Sequence, residues 1–142
     1  MDHLKDLAAI AGDLFADGKV DEAVAKCKEF GLEGVYHASA LRVKASLGET
    51  RPVELYGVAL GEVAVITSST ECFHKHGVRV RKESPFDFTM TLGYTNGYRS
   101  YMPTLEAFEY GCYEVDITRF VPGTGEKMAD EQIDMLKELK NA

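Results

Sequence analysis

The sequence predicts an α/β (α+β) fold in which helices cover a mixed β-sheet and an αα-hairpin precedes it. Apolar residues recur at helical spacing up to about residue 50, and from Arg51 onward many alternate with the period of two that strands show. The stretch Val63–Ile66 is apolar throughout, which is typical of a central strand buried on both faces. A mixed sheet with helices packed against it is the economical arrangement for this pattern.

The N-terminal part is predicted to be helical. One amphipathic helix ends at Gly18 and a second at Gly31, and together they form an αα-hairpin that contributes an apolar stripe to a core. A third helical or mixed stretch runs from His37 to Leu47. The apolar positions of the hairpin are Leu4, Leu7, Ala8, Ala11, Leu14 and Phe15 in its first helix, and Val20, Ala23, Val24, Cys27 and Phe30 in its second.

Strands and helices are predicted to follow one another in the remaining sequence, and residues 1–142 are predicted to form a single domain with a helical part (1–50) and a sheet-and-helix part (51–142). We expect Val65, Ile66, Phe88 and Met90 to be buried centrally. The predicted elements are a strand over 53–59, a Gly61-Glu62 turn, the strand Val63–Ile66, a helix over 70–83, a strand over 86–94, a short helix opened by Pro103 and Thr104 and ended by Gly111, a strand over 113–117, and a last amphipathic helix carrying Met128, Ala129, Ile133, Leu136 and Leu139.

Composition argues against several classes of function. A formal net charge of −7 without a basic face argues against nucleic-acid binding. No apolar run approaches the length of a membrane span, and the N-terminus lacks the apolar region of a signal peptide. Cys27, Cys72 and Cys112 are odd in number and share no metal-type spacing, so free buried thiols are predicted. We therefore expect a soluble protein, with a cytoplasmic location favoured by the free cysteines and a homo-oligomer left open.

Two residues are placed where α/β sheets usually carry their chemistry. Tyr98 follows the Asn96-Gly97 turn just beyond a predicted strand, and Glu71 follows the buried strand Val63–Ile66. Glu71 is predicted to begin a helix, where a carboxylate complements the helix dipole. From the residue types alone, Glu71 is either such a stabilising N-terminal residue or a functional carboxylate.

Three further features each allow a functional and a structural interpretation. Glu71 and His74 have the i, i+3 spacing of a metal-binding pair on a helix, and surface residues share that spacing. The Pro122–Gly125 loop offers backbone amides to an anion, or simply leads into the last helix. An aromatic set either lines an apolar-substrate cleft or packs in the core. This set consists of Tyr94, Tyr98, Tyr101, Phe108, Tyr110 and Tyr113.

The C-terminal two thirds of the chain resemble one known family, the neutral/alkaline non-lysosomal ceramidases and their bacterial ceramidase-like relatives. In that family a strand ends in an Asn-x-Tyr turn, followed by a tyrosine, a threonine that opens a helix, and a Tyr-Glu pair. Here the corresponding residues are Asn96-Gly97-Tyr98, Tyr101, Thr104 and Tyr113-Glu114. Relatives often carry Pro-Gly-Glu where this chain has Ser69-Thr70-Glu71. The similarity spans roughly Arg51 to the C-terminus.

The resemblance implies the C-terminal portion of a zinc-dependent amidohydrolase that cleaves N-acyl amides in lipid metabolism. Family enzymes hold one zinc ion with two histidines from an N-terminal half, a glutamate and a tyrosine. By motif, Glu71 and Tyr98 match the metal ligands, with Tyr98 also catalytic, and we expect these two side chains to converge. Because this sequence lacks the histidine-bearing half, zinc is expected only in the complete site, and the chain alone is expected to be inactive.

The partner implied by the resemblance is the missing N-terminal half of the enzyme or another subunit. The alternative function is a non-catalytic α/β module that keeps the fold and binds a small ligand or a protein partner.

Overall fold

A computed structural model describes residues 10–11, 13–14, 17–29, 50 and 52–142. The chain divides into two compact units, one formed by Met1–Glu49 with Asp116–Arg119 and the other by Thr50–Val115 with Phe120–Ala142. Helices occur together with a mixed three-stranded sheet and a small second sheet, so the predicted α+β class is confirmed. Folding of residues 1–142 as a single domain stays a prediction.

The first unit contains helix α1, Val20–Glu29. Asp21 and Glu22 lie in its first turn and Lys26 and Lys28 in its last, so its charges complement the helix dipole at both ends. Ala23 and Cys27, which belong to the predicted apolar stripe, are buried. The pairing of α1 with a preceding helix and the predicted stretch His37–Leu47 lie outside the described residues.

The second unit carries both sheets. In chain order after α1 the elements are β1 (Gly57–Leu60), β2 (Val63–Thr67), β3 (Glu71–Cys72), α2 (His74–Glu83), β4 (Phe88–Leu92), β5 (Tyr101–Met102), α3 (Leu105–Tyr110), α4 (Tyr113–Ile117) and α5 (Thr124–Asn141). The last two residues of α4, Asp116 and Ile117, belong to the first unit. Strand β2 lies in the middle of the larger sheet, antiparallel to β1 and parallel to β4, while β3 and β5 form a separate parallel pair.

The core of this unit lies between one face of the three-stranded sheet and the helices α2 and α5. The predicted inner stripe of the last helix is confirmed, because Met128, Ala129, Ile133 and Leu136 are buried and Leu139 packs against the core. Small residues on the inner sheet face let α5 approach closely. At Gly57, for example, a Cβ atom would lie only 2.7 Å from Leu139 Cδ1. The buried core residues are Ala64, Ile66, Val80, Phe86, Ala129, Ile133 and Leu136.

The opposite face of the three-stranded sheet is apolar and exposed, which corrects part of the predicted core. Ile66 is buried as predicted, but Phe88 is 56% and Met90 43% exposed, and Val65 is half-buried. The central strand β2 is therefore covered on one face only. Alternation separated the two faces correctly, but the helices cover the face with the smaller side chains. We call the other side the outer sheet face; it consists of Val58, Leu60, Val63, Val65, Phe88, Met90 and Leu92.

The start of one predicted helix and the type of one predicted strand are wrong. Glu71 lies in β3, and α2 begins only at His74, because the backbone of Glu71 pairs with the segment around β5 instead of opening a helix. Residues Tyr113–Ile117 form the short helix α4 rather than a strand. Their apolar–polar alternation over five residues also fits a single helical turn.

The predicted short helix is confirmed at both ends. The Thr104 hydroxyl accepts a hydrogen bond from the Ala107 amide at 3.3 Å, and Gly111 ends α3 with a φ of 71°.

Among the described residues, no helix has the length and apolar character needed to cross a bilayer.

Candidate functional site

Two segments that meet beyond the carboxyl end of β2 form the candidate site. Residues 68–73 follow β2, and residues 92–102 contain the loop between β4 and β5. Six backbone hydrogen bonds join them: Ser68 N to Leu92 O, Tyr94 N to Thr70 O, Thr95 N to Ser68 O, Arg99 N to Ser69 O, Glu71 N to Ser100 O, and Phe73 N to Met102 O, all between 2.8 and 3.2 Å. The site is therefore anchored by its main chain.

The loop between β4 and β5 adopts unusual backbone conformations. Tyr94 and Asn96 have φ values of 57° and 58°, and Ser100 has a φ of 119°. Gly97 completes the predicted Asn-Gly turn with a φ of 145°. Positive φ at three non-glycine residues is costly, and it persists here because the backbone hydrogen bonds to residues 68–71 fix the loop.

Glu71 and Tyr98 converge, as the resemblance led us to expect. The Tyr98 hydroxyl donates a hydrogen bond to Glu71 Oε2 at 3.5 Å, although 27 residues separate the two in sequence. The Tyr94 ring stacks on the Tyr98 ring, with centroids 5.8 Å apart and planes 11° from parallel. The predicted proximity is confirmed, whereas the metal-binding role of the pair and the catalytic role of Tyr98 stay predictions.

Glu71 contributes to the raised pKa values of two neighbouring phenols. A hydrogen bond to the Glu71 carboxylate, supported by desolvation and by the negative charge of Glu71, raises the pKa of Tyr94 to about 12. Desolvation, followed by the charge of Glu71, raises the pKa of Tyr101. Both phenols therefore stay protonated at neutral pH and are available as hydrogen-bond donors.

A cavity of about 340 Å³ opens beside Glu71 and is lined in part by Cys72, His74, Arg81 and Tyr94. The Cys72 thiol, which is free, lies 3.1 Å from Ser68 Oγ and 3.0 Å from Thr70 Oγ1. Cys72 and Ser68 thus contribute a half-buried sulfur and a buried hydroxyl to this wall, and the buried Thr70 hydroxyl contacts the sulfur without lining the cavity. The cavity is large enough for a small polar group next to the Glu71 carboxylate.

The histidines nearby do not form the helical metal-binding pair considered from the sequence. Glu71 belongs to a strand and His74 is the first residue of α2, so the i, i+3 geometry of a helix does not apply to them. His76 is buried, with Nε2 3.3 Å from the carbonyl oxygen of Pro103. Within the described part of the chain, no group of three or more histidine, cysteine, aspartate or glutamate side chains is arranged to hold a metal ion.

Tyr94 is the site residue whose role the sequence did not reveal. The sequence marks it only as one of a set of aromatic residues. Tyr94 and Tyr98 each lie two residues from Asn96 in the turn, and this placement is the signal that could have predicted their stacking. The Pro122–Gly125 loop leads into α5, with Gly123 at a φ of 85° as the N-cap, and its anion-binding interpretation stays untested.

No protein-family model matches the chain, and comparisons with curated proteins and with solved structures also gave no match. The fold is thus defined as α+β by its own elements, and the site by the convergence of Glu71, Tyr94 and Tyr98.

Proposed function

We propose that this chain supplies the glutamate and tyrosine of a zinc site in a ceramidase-like amidohydrolase, which hydrolyses N-acyl amides once two histidines from another segment or subunit complete the site. The observation that carries the proposal is the 3.5 Å contact between Tyr98 Oη and Glu71 Oε2. A capping glutamate and a tyrosine that only packs would have no reason to meet across 27 residues.

The side-chain oxygens of Glu71 and Tyr98 are suitable ligands for part of such a zinc site. Glu71 and Tyr98 offer a carboxylate and a phenol oxygen on one side of the loop, and zinc accepts oxygen ligands together with histidine nitrogens. A bound zinc ion would activate a water molecule and polarise the acyl carbonyl. Two ligands are half of the four that the family site needs, so zinc is expected to bind weakly to this chain alone.

The residues of this chain have distinct tasks in the proposed reaction. Glu71 accepts hydrogen bonds from phenols and holds them toward the site. Tyr94 stacks on Tyr98 and fixes the plane of its ring. Tyr98, anchored in this way, would either bind the metal as a phenolate or, if it keeps its proton, donate a hydrogen bond to the oxygen of a developing tetrahedral intermediate.

Zinc titration with matched variants tests the metal-ligand assignment. We expect weak zinc binding in calorimetry with a tyrosinate signal in the ultraviolet difference spectrum, because a metal-bound phenol loses its proton. Glu71→Gln should abolish the binding, and Tyr98→Phe should abolish the tyrosinate signal. Tyr110→Phe is the control, since Tyr110 is 77% exposed on α3 and lies outside the site.

Zinc binding that survives both site variants unchanged would contradict the assignment. The chain alone should not turn over a short-chain fluorescent ceramide, since it carries at most two of the four family ligands. Measurable turnover by the chain alone would overturn the proposal that histidines from another segment or subunit must complete the site.

The alternative, a non-catalytic α/β module that binds a partner, is favoured by the exposed outer sheet face. Large apolar side chains concentrated on one face are typical of a surface that another protein covers.

A further inference from the structure

We propose that the outer sheet face is the interface of a homodimer, in which two copies of this chain pack sheet against sheet. The face is built by three adjacent strands, and the register places its residues side by side: Val58 is opposite Val65, Leu60 opposite Val63, and Val63 and Val65 opposite Phe88 and Met90. All seven of its residues are apolar. The proposal is independent of the zinc chemistry proposed above.

The area of the face matches what a dimer needs. Leu60 is 77%, Val58 57% and Phe88 56% exposed, and the other members range from half-buried to nearly half exposed. Together these side chains expose on the order of 600 Å², at the upper end of the largest apolar patches on ordinary monomers. A stable interface of standard size takes about 800 Å² from each partner, which this face nearly supplies before its rim is added.

The distribution of charge selects the outer sheet face, rather than the helical side, for contact with a second copy. The net charge is −7, so two copies repel one another at long range, yet the outer sheet face itself carries no charge. The helices α2 and α5 lie on the other side of the sheet and carry the exposed ion pairs Arg79–Asp130, Arg79–Glu83 and Lys137–Asp134. Packing through the apolar faces therefore keeps the charged helices on the outside of the dimer.

A two-fold arrangement is the simplest way to bury this surface. An isologous interface requires a patch that is complementary to itself, and an apolar sheet face meets that requirement without matching charges. The alternative occupants are another segment of the same chain and a different protein, and the experiment below separates both from a second copy.

Sedimentation equilibrium of the full chain over a wide concentration range tests the proposal. The parent should form a dimer. Val58→Glu should raise its Kd by about tenfold or more, because two copies of an unpaired carboxylate would enter an apolar interface. Val121→Glu is the matched control, since it makes the same substitution at a residue that is 55% exposed in the loop before α5. It should leave the Kd unchanged.

Each other outcome overturns the proposal. A monomer at high micromolar concentration shows that no second copy binds, and protection of the face from an apolar dye would then identify the same chain as its cover. A dimer that Val58→Glu and Val121→Glu affect equally uses another surface. If Val58→Glu fails to fold, Leu60→Glu replaces it, because Leu60 is next to the β1–β2 turn and more exposed.

Discussion

At the scale of single residues, Glu71 organises the aromatic side chains of the site. It accepts a hydrogen bond from Tyr98 and is the main cause of the raised pKa of Tyr94, whereas the pKa of Tyr101 is raised first by desolvation and then by the charge of Glu71. One carboxylate thus keeps neighbouring phenols protonated, since removing a phenol proton would break a hydrogen bond or add a second negative charge beside the first. In a complete site, a cation would reverse this preference by favouring a phenolate.

The raised pKa of Tyr94 gives a direct test of this arrangement. Glu71→Gln should lower the pKa of Tyr94 from about 12 toward its ordinary value of about 10, because the charged acceptor is lost. Ultraviolet titration of the phenols, with Tyr94→Phe to assign the transition, measures the change. A Tyr94 transition that stays in place in Glu71→Gln would refute the role of the carboxylate.

The same shift sets the sign of a pH effect on stability. The pKa of Tyr94 is higher in the folded chain than in the unfolded chain, so the folded state holds the proton more tightly. The stabilisation is therefore fully present below about pH 10 and is lost as the pH rises through about 12. Denaturant unfolding should show the difference between the parent and Tyr94→Phe shrinking over this range.

At the scale of elements, strand β2 shows the difference between its two faces. Ile66 is fully buried against the core, while Val63 on the other face is 44% exposed. Ile66→Ala should therefore lower the free energy of unfolding by about 3 kcal/mol, because it removes buried methylene groups and leaves a cavity.

Val63→Ala on the same strand is the control, and it should cost about 1 kcal/mol or less, since it removes less buried surface. Chemical denaturation below the concentration at which dimers form measures both values. Equal losses in the two variants would mean that the strand is not one-sided.

The elements also show which features the sequence could specify. Thr104, Gly111 and the Asn96-Gly97 turn were predicted correctly, because caps and turns depend on a few neighbouring residues. The helix at Tyr113–Ile117 was predicted wrongly as a strand, because five residues are too few to separate the two periods.

Tertiary contacts decided the remaining features. The alternation in β4 identified two faces but not which one the helices would cover, since that depends on how closely α5 approaches small residues such as Gly57 and Ala64. The convergence of Glu71 with Tyr98 was expected only from the family resemblance. The stacking of Tyr94 on Tyr98 depends on a loop conformation that no local propensity specifies.

At the scale of the whole second unit, helix α5 packs against the larger sheet and also reaches residues next to the smaller one. Its later turns cover β1 and β2, and its first turn passes beside α2 and the residues that follow β5. Gly125 allows this passage, because a Cβ atom there would overlap the His76 ring and lie 2.8 Å from the carbonyl oxygen of Pro103.

Gly125→Ala should therefore destabilise the unit by about 1–3 kcal/mol, even though alanine is normally the better helix former. Lys127→Ala on the exposed side of the same helix is the control, and its melting temperature should stay within about a degree or two of the parent. Thermal unfolding followed by circular dichroism compares them. A stabilised Gly125→Ala variant would show that α5 does not approach this closely.

The hydrogen-bonded loop around Tyr98 has a consequence for recognition. Ordering one residue of a free loop costs about 1–2 kcal/mol of conformational entropy. Here the main-chain hydrogen bonds between residues 68–71 and 92–100 order the loop when the chain folds, so this cost is met before a ligand binds. A ligand therefore meets the Glu71 carboxylate and the Tyr98 hydroxyl already in position. A ligand that binds beside Glu71 does not have to order the loop, so its contacts contribute directly to affinity and selectivity, which is the advantage of a preorganised site.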